Sequence, residues 1–209
     1  MQKPRLQVPD TDRREELEVK LARVRRWLEQ TGARAVLVTD QGAFAWLTCG
    51  GDSHASLGQA EGTASVLVTL EHAFLLAANN ELRRILDEEV APLPFEPVTW
   101  PWYQPAAARA HVERLGAPGP VVSDLGQLGL SRAAASFATL RYTLLPPEIE
   151  RYRQLGQDAA AALERRAPRL APGSASATWP PSSRAAAWLT GSCRSSCWWR
   201  AARRKRKRS

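Results

Sequence analysis

The sequence of 209 residues has few cysteines and no long apolar stretch. Its three cysteines are odd in number, and two of them lie near the end, so they do not suggest a disulfide scaffold. No run of about 18 apolar residues exists, and this excludes a membrane-spanning helix. The first nine residues lack the apolar segment of a secretory signal. Together these absences predict a cytoplasmic protein without membrane contact.

Acidic residues are absent after Glu164, whereas basic residues continue to the end. Residues 174–209 contain nine Lys and Arg, and the first 173 residues contain 20 basic and 21 acidic side chains. The net charge of +8 therefore belongs to the end of the chain. The run Arg203–Arg208 could bind nucleic acid by releasing counterions from phosphate. Because the rest of the chain adds no basic stripe, nucleic acid is not the expected partner.

The first 145 residues show the alternation of helix and strand patterns that is typical of a layered α/β domain. Apolar residues recur at helical spacing from Leu17 to Leu28, and Gly32 ends this pattern. The polar residues between them, Glu16 and Lys20 included, predict that the opposite side of this helix faces solvent. Four apolar runs predict strands, at 35–38, 63–70, 73–77 and 119–123.

The hairpin predicted over 63–77 makes the sheet mixed rather than purely parallel. A short edge strand is predicted at 97–100, where prolines punctuate the chain. Further helices are predicted from a cap at Asn80 to Val90, over 105–115, from a cap at Ser131 to about Phe137, and over 148–167.

The Pro146-Pro147 pair predicts a domain boundary. We divide the chain into 1–145, an α/β domain, 146–173, which contains one helix, and 174–209, a basic tail rich in Trp, Ser and Arg. The part after the boundary is too short to bury a core of its own.

The order of these features resembles the N-terminal domain of the creatinase, prolidase and aminopeptidase P family of metallopeptidases. The resemblance rests on Phe44–Thr48 followed by Gly50-Gly51, on the turn at 76–81 and on the segment 95–103. Leu144–Arg153 resembles the family's entry into its second, pita-bread domain. The family implies a three-layer, creatinase-type α/β domain with a mixed sheet, followed here by the first helix of an incomplete pita-bread domain.

The resemblance also implies a chemistry. The family cleaves X-Pro peptide bonds, or hydrolyses creatine in one branch. Its peptidases hold two divalent ions, such as manganese or cobalt, with Asp, His and Glu of the pita-bread domain, and these ions generate a bridging hydroxide. This chain has no Asp, Glu or His after Glu164, and His54, His72 and His111 match no ligand position.

The chain is therefore expected to be a truncated member of the family that is inactive alone. It is expected to have no catalytic, metal-binding or cofactor-binding residue, and no cofactor of its own. Peptide substrate is expected only in intact relatives. Two alternatives remain, a non-catalytic dimerisation or interaction module and a nucleic-acid binder acting through the tail.

The Gly-rich loop at 50–54 is the most polar segment of the domain, and such loops often carry function. In intact relatives the N-terminal domain forms part of the wall around the active-site cleft, sometimes across a dimer. Asp52 and His54 are therefore expected to contact substrate or partner, and the alternative is a turn capped by Asp52. Cys49 is expected to pack as a small apolar residue, the alternative being a nucleophile with His54 as its base.

Trp100, Trp102 and Tyr103 form a compact aromatic group in the sequence. Core packing is the ordinary expectation for such a group, and the alternative is an interface against the missing second domain, with Trp100 and Tyr103 as cleft or partner contacts. A homodimer through the N-terminal domain is the expected assembly, if one forms.

The composition changes abruptly after Gly173. Four of the eight Trp and two of the three Cys lie in the last 31 residues. Trp and Cys codons, read from one base earlier, encode Leu, Met or Val, and residues 195–199 then become consecutively apolar. The sequence therefore predicts a frameshift just after Gly173, followed by a disordered tail. Cys193 and Cys197 lack the further ligands of a zinc site.

Overall fold

The computed structural model describes residues 10–54, 56 and 58–164, and side chains from residue 13 onward. The predicted tail at 174–209, with Cys193, Cys197 and the basic run 203–208, lies outside the described residues. Within these ranges, none of the helices combines the length and the apolar character needed to cross a membrane.

Six strands form one sheet in the order β4-β3-β2-β1-β5-β6. The strands are β1 (Ala35–Asp40), β2 (Glu61–Thr69), β3 (Ala73–Ala78), β4 (Glu96–Trp100), β5 (Val121–Ser123) and β6 (Ser131–Arg132). Only β2 runs against its neighbours, since its pairs with β1 and β3 are antiparallel and the other pairs are parallel. The predicted mixed sheet is confirmed.

The position of each strand in the sheet explains which of its residues are apolar. Residues 35–39 of β1 are buried because the strand lies inside the sheet with helices on both faces. The β2–β3 hairpin closes where His72 donates its backbone N–H to the Thr69 hydroxyl at 2.9 Å. Pro97 is tolerated in β4 because that strand lies at the edge of the sheet.

The helices of the unit that contains the sheet cover both of its faces and give the three layers that the resemblance implied. They are α1 (Asp10–Thr31), α2 (Gln41–Leu47), α3 (Asn79–Arg84) continued by a π-helical turn (Ile85–Val90), α4 (Ala106–Gly116) and α5 (Ser136–Thr139). The last helix, α6 (Pro146–Glu164), belongs to the second unit described below. Residues of α1, α2 and the π-helical turn share one apolar core, and Val112 of α4 belongs to a second one.

Alternate residues of the strands divide between these two cores. Val36 and Val66 lie in the larger core, whereas Leu37, Leu67 and Leu76 lie in the smaller one under α4. This is the two-residue period of a strand whose two faces are both covered.

The expectation that Glu16 and Lys20 face solvent is wrong. Glu16 is 3% exposed and Lys20 is fully buried. The Lys20 ammonium donates to the Glu16 carboxylate at 2.6 Å and to the backbone carbonyl of Trp46. An i,i+4 pair of opposite charge can enter the interior because each charge is the partner of the other.

Two predicted caps are also wrong. Helix α3 begins at Asn79, after Ala78, and has no side-chain cap, so Asn80 lies inside its first turn. The Asn79 side chain instead accepts a hydrogen bond from the backbone of Trp102 at 3.0 Å. Ser131 lies in β6, and the short helix begins at Ser136, because pairing with β5 takes precedence over a local cap.

The backbone divides into two units, Pro9–Thr143 and a second one that contains α6. Helix α6 begins at Pro146, and the Leu145 backbone N–H donates to the Glu148 carboxylate at 2.8 Å. The predicted segment 146–173 extends past the last described residue, so its limits stay a prediction.

Candidate functional site

The loop after α2 places the side chains of Asp52 and His54 together. The His54 ring nitrogen Nδ1 lies 2.5 Å from Asp52 Oδ1, and the His54 backbone N–H donates to the same oxygen at 2.9 Å. The backbone bond is the capped turn of the alternative interpretation. The side chains of Asp52 and His54 remain 29% and 36% exposed, so both are in contact with solvent as well as with each other.

The path of this loop is fixed by the residues around it. A Cβ atom on Gly51 would lie 2.6 Å from the Thr48 hydroxyl, so a side chain does not fit there. The Asp52 backbone N–H donates to the Glu89 carboxylate at 3.0 Å, and the Thr63 backbone N–H donates to the Ser53 carbonyl at 2.8 Å. The loop is thereby tied to the π-helical turn on one side and to β2 on the other.

Two charged side chains of α1, those of Arg13 and Lys20, bind the backbone at the end of α2, where the loop begins. The Arg13 guanidinium donates to the backbone carbonyls of Ala91, Thr48 and Glu89, at 2.6, 3.0 and 3.0 Å. The Lys20 ammonium lies 5.5 Å from the centre of the Trp46 ring. Sequence reasoning missed this support, because helical periodicity assigns α1 only one buried side.

Cys49 lies at the base of the same loop. It is 4% exposed, and its Sγ lies 3.9 Å from the Lys20 ammonium and 3.6 Å from the Arg13 carbonyl. The ring nitrogen Nδ1 of His54 contacts Asp52 instead. The geometry agrees with packing, and it does not give Cys49 the imidazole that the nucleophile alternative needs.

A second group of polar residues lies at the carboxyl edge of the sheet. β1, β3, β4 and β5 all end at this edge, and β2 begins there. The strand order reverses between β1 and β5, and ligands of open α/β sheets bind at such points. The polar and aromatic residues of this edge are Asp40, Glu61, Asn79, Trp100 and Asp124.

At the reversal point a side chain of the protein itself occupies the crevice. The Asp124 carboxylate accepts hydrogen bonds from the Thr39 backbone and hydroxyl at 2.9 and 2.7 Å, and from the Asp40 backbone at 3.0 Å. Asp40 in turn caps α2 through the Ala43 N–H at 2.8 Å and pairs with Arg141 at 3.2 Å. Asp40 and Asp124 therefore hold β1, β5 and α2 together.

A cavity of about 100 Å³ lies beside this crevice, on the face of the sheet that α4 covers. The side chains of Thr39, Glu61, Ser65 and Trp100 line it, with Leu76 among its apolar residues. Burial raises the pKa of Glu61 above its ordinary value, and the nearby charge of Asp124 raises it further.

Of the aromatic group, Trp100 lines the cavity, whereas Trp102 and Tyr103 lie at the surface. Trp100 is half-buried in the cavity wall, and its ring centre lies 6.3 Å from that of His111. Tyr103 is 65% exposed and meets Trp102, itself 64% exposed, edge to face at 5.9 Å. The core-packing expectation is wrong for Trp102 and Tyr103. The structure brings Asp52 and His54 together, and it places Trp100 in a different site.

The divalent ions of the family can be tested against these residues. The part of the chain that the structure describes contains no group of three or more His, Cys, Asp or Glu that could hold a metal ion. These residues do not fit a two-metal centre.

Neither a scan against protein-family models nor a search of curated proteins finds a match. Solved structures do match. Dipeptidase PepE from Mycobacterium ulcerans is 17% identical with a TM-score of 0.59, and the match covers 85% of this chain and 50% of that one. Prolidase from Pyrococcus horikoshii OT3 is 12% identical with a TM-score of 0.59, over 83% and 48% of the two chains.

The Xaa-Pro dipeptidase from Bacillus anthracis is 14% identical with a TM-score of 0.52, over 76% of this chain and 45% of that one. This chain thus matches about half the length of each of these structures. At such identities the likeness establishes the fold, and it is the fold that the sequence resemblance implied.

Proposed function

We propose that this chain corresponds to the N-terminal domain of the creatinase, prolidase and aminopeptidase P family, and that it does not hydrolyse X-Pro bonds alone. One observation carries the proposal. The fold matches about half of a prolidase and of two dipeptidases, and the sequence resemblance puts the metal ligands of the family in its other domain.

The donor atoms of the described residues support this proposal. A metal that activates water is held by about three protein ligands. Asp52 and His54 supply two donor side chains on one loop. The carboxylate oxygens of Asp40 and Asp124 already accept hydrogen bonds from backbone N–H groups of β1, α2 and neighbouring residues.

Within such a protein, the loop at 50–54 is proposed to contact a peptide or a partner chain. The Asp52 carboxylate and the His54 imidazole are partly exposed on a loop whose backbone is tied at both sides. A carboxylate so held can accept hydrogen bonds from a peptide ammonium or amide at little cost in conformational entropy.

An assay with peptide tests the proposal. The full chain is incubated with an X-Pro dipeptide and Mn²⁺ or Co²⁺, and the Xaa-Pro dipeptidase from Bacillus anthracis serves as the positive control under the same conditions. We expect no hydrolysis above buffer. Turnover that co-purifies with the chain and disappears when a chelator is added would contradict the proposal.

The proposed reading-frame change has a test of its own. Sequencing the DNA across codons 170–200 is expected to show a continuation in another frame that encodes Asp, His and Glu motifs. A gene without such a continuation near this point would sink the frameshift interpretation and leave the fold unaffected.

A dimerisation module is the second candidate, and the exposed pair of Trp102 and Tyr103 favours it. Aromatic residues are enriched in interfaces, and a contiguous exposed apolar patch marks an interaction site. Replacing both with Ser is expected to weaken any dimer seen by sedimentation, whereas Tyr142→Ser, at another exposed aromatic position, is expected to leave it unchanged. A chain that is monomeric at every concentration excludes this candidate.

A further inference from the structure

The cavity under α4 combines polar and apolar walls. Thr39, Thr63 and Ser65 contribute hydroxyl-bearing side chains, and Leu37 and Leu76 contribute apolar ones. Its volume of about 100 Å³ equals roughly three water molecules at about 30 Å³ each. The space therefore suits a small head group.

The rim of this cavity has a carboxylate without a countercharge. Glu61 forms no ion pair with any Lys, Arg or His of the described residues. The neighbouring carboxylate of Asp124 adds to the negative potential, as the raised pKa of Glu61 reflects. Arg141 is engaged by Asp40, and Arg109 is shared between Glu113 and the carbonyl of Leu128.

The half-buried Trp100 also lines this cavity. The face of an indole attracts a cation that lies within about 6 Å of the ring centre. A carboxylate, an indole and several hydroxyl groups around one small space form a site for a positively charged ligand with hydrogen-bond donors.

We propose that the cavity at the carboxyl edge of the sheet binds a small primary ammonium ion, with Glu61 as its charge partner and Trp100 as its aromatic wall. A primary ammonium has three N–H donors, which match the carboxylate and the hydroxyl oxygens. A quaternary ammonium has none. A divalent cation such as Ca²⁺ needs about six or more oxygen ligands, and the oxygens of Asp124 are already engaged by backbone N–H groups and the Thr39 hydroxyl.

Ethylammonium chloride is the probe, titrated into the full chain while amide and Glu61 side-chain signals are followed by NMR. Sodium and tetramethylammonium chloride are titrated in parallel at equal ionic strength. We expect saturable shifts near Glu61, Ser65 and Trp100 with ethylammonium only. We also expect the pKa of Glu61 to fall on saturation, since a bound cation favours the carboxylate.

Glu61→Gln removes the charge at the rim, and its matched control is Glu29→Gln, at an exposed position of α1. The first change is expected to weaken ethylammonium binding about tenfold, as loss of a charged hydrogen bond does. The second is expected to leave binding unchanged. Shifts that do not saturate, that sodium or tetramethylammonium reproduces, or that survive Glu61→Gln overturn the proposal. If Glu61→Gln fails to fold, the unaltered chain decides the question. The pKa of its Glu61 must fall as ethylammonium saturates the site, and a pKa that does not fall overturns the proposal.

Discussion

The two faces of the sheet are closed in different ways. On the face of α1 and α2, buried charges are paired with each other, as Lys20 is with Glu16. On the face of α4, a cavity remains, and Glu61, one of its lining residues, forms no ion pair with a cation of the described residues. The first face is therefore built for a fixed arrangement of helices and loop, whereas the second leaves space for a ligand.

The size of the helix side chains explains the difference. Helix α1 buries Leu17, Trp27 and Leu28 against the sheet. Helix α4 buries only small or medium residues, and at Gly116 it approaches so closely that a Cβ atom would lie 2.3 Å from the Val121 side chain. Contact at this end and small residues such as Ala108 near the other leave the cavity between helix and sheet.

Breaking the buried pair on the first face is expected to have the largest effect. Lys20→Met leaves the Glu16 carboxylate buried without its cation, so the free energy of unfolding should fall by about 3–5 kcal/mol. Chemical denaturation measures this loss. The exposed Glu18 of the same helix provides the control, since Glu18→Gln should change little.

Replacing both members of the pair sharpens the test. The double variant Glu16→Leu and Lys20→Met leaves no unpaired charge, so it should be more stable than Lys20→Met alone. If the single and double variants have equal free energies of unfolding, pairing with Lys20 is not what stabilises the buried Glu16 carboxylate.

The next largest effect is expected between the two faces, at the Asp124 carboxylate. Asp124→Ala removes the acceptor of three backbone N–H groups, at Thr39, Asp40 and Leu125, and should lower the free energy of unfolding by about 1–3 kcal/mol. It should also lower the pKa of Glu61, because one of its two causes is gone. A Glu61 pKa that does not move in this variant contradicts the assigned charge effect, and Asp87→Ala, at an exposed acid, is the control.

A smaller, pH-dependent effect is expected at Glu61 itself. Its pKa is higher in the folded chain than the unfolded value of about 4.3. The folded state then binds more protons between these two values, so stability from this group falls as the pH rises through that window. Glu61→Gln should stabilise the chain at pH 7 by only a few tenths of a kcal/mol, because the carboxyl group is partly buried and solvent screens its charge. The gain should vanish below about pH 4, and a gain that persists there would refute this explanation.

The comparison of the faces also shows what the sequence could predict. Apolar runs located β1, the β2–β3 hairpin and β5, because a strand covered on both faces leaves a local signal. The turn capped by Asp52 could be predicted because its acceptor and the His54 N–H lie two residues apart, whereas contact of this pair with a substrate or partner stays a prediction. The role of Glu61 was missed, because the cavity that it lines together with Trp100 forms only when strands distant in sequence pair.

The buried charges were missed for a different reason. Periodicity assigns Lys20 to the polar side of α1, and only the carbonyl of Trp46 and the carboxylate of Glu16 make its burial possible. The caps expected at Asn80 and Ser131 failed because tertiary contacts at Asn79 and strand pairing of β6 outweigh a local preference.

The smallest effect is expected at the loop on the first face. His54→Gln removes the imidazole and keeps the backbone hydrogen bond to Asp52, so stability should change by less than about 0.5 kcal/mol. Arg13→Met, in contrast, removes three hydrogen bonds to backbone carbonyls and should speed hydrogen exchange of the loop amides. If exchange at Gly51 and Asp52 responds to His54→Gln more than to Arg13→Met, the pair itself orders the loop. In the opposite case the loop is held from the α1 face, and the pair of Asp52 and His54 contributes little to its order.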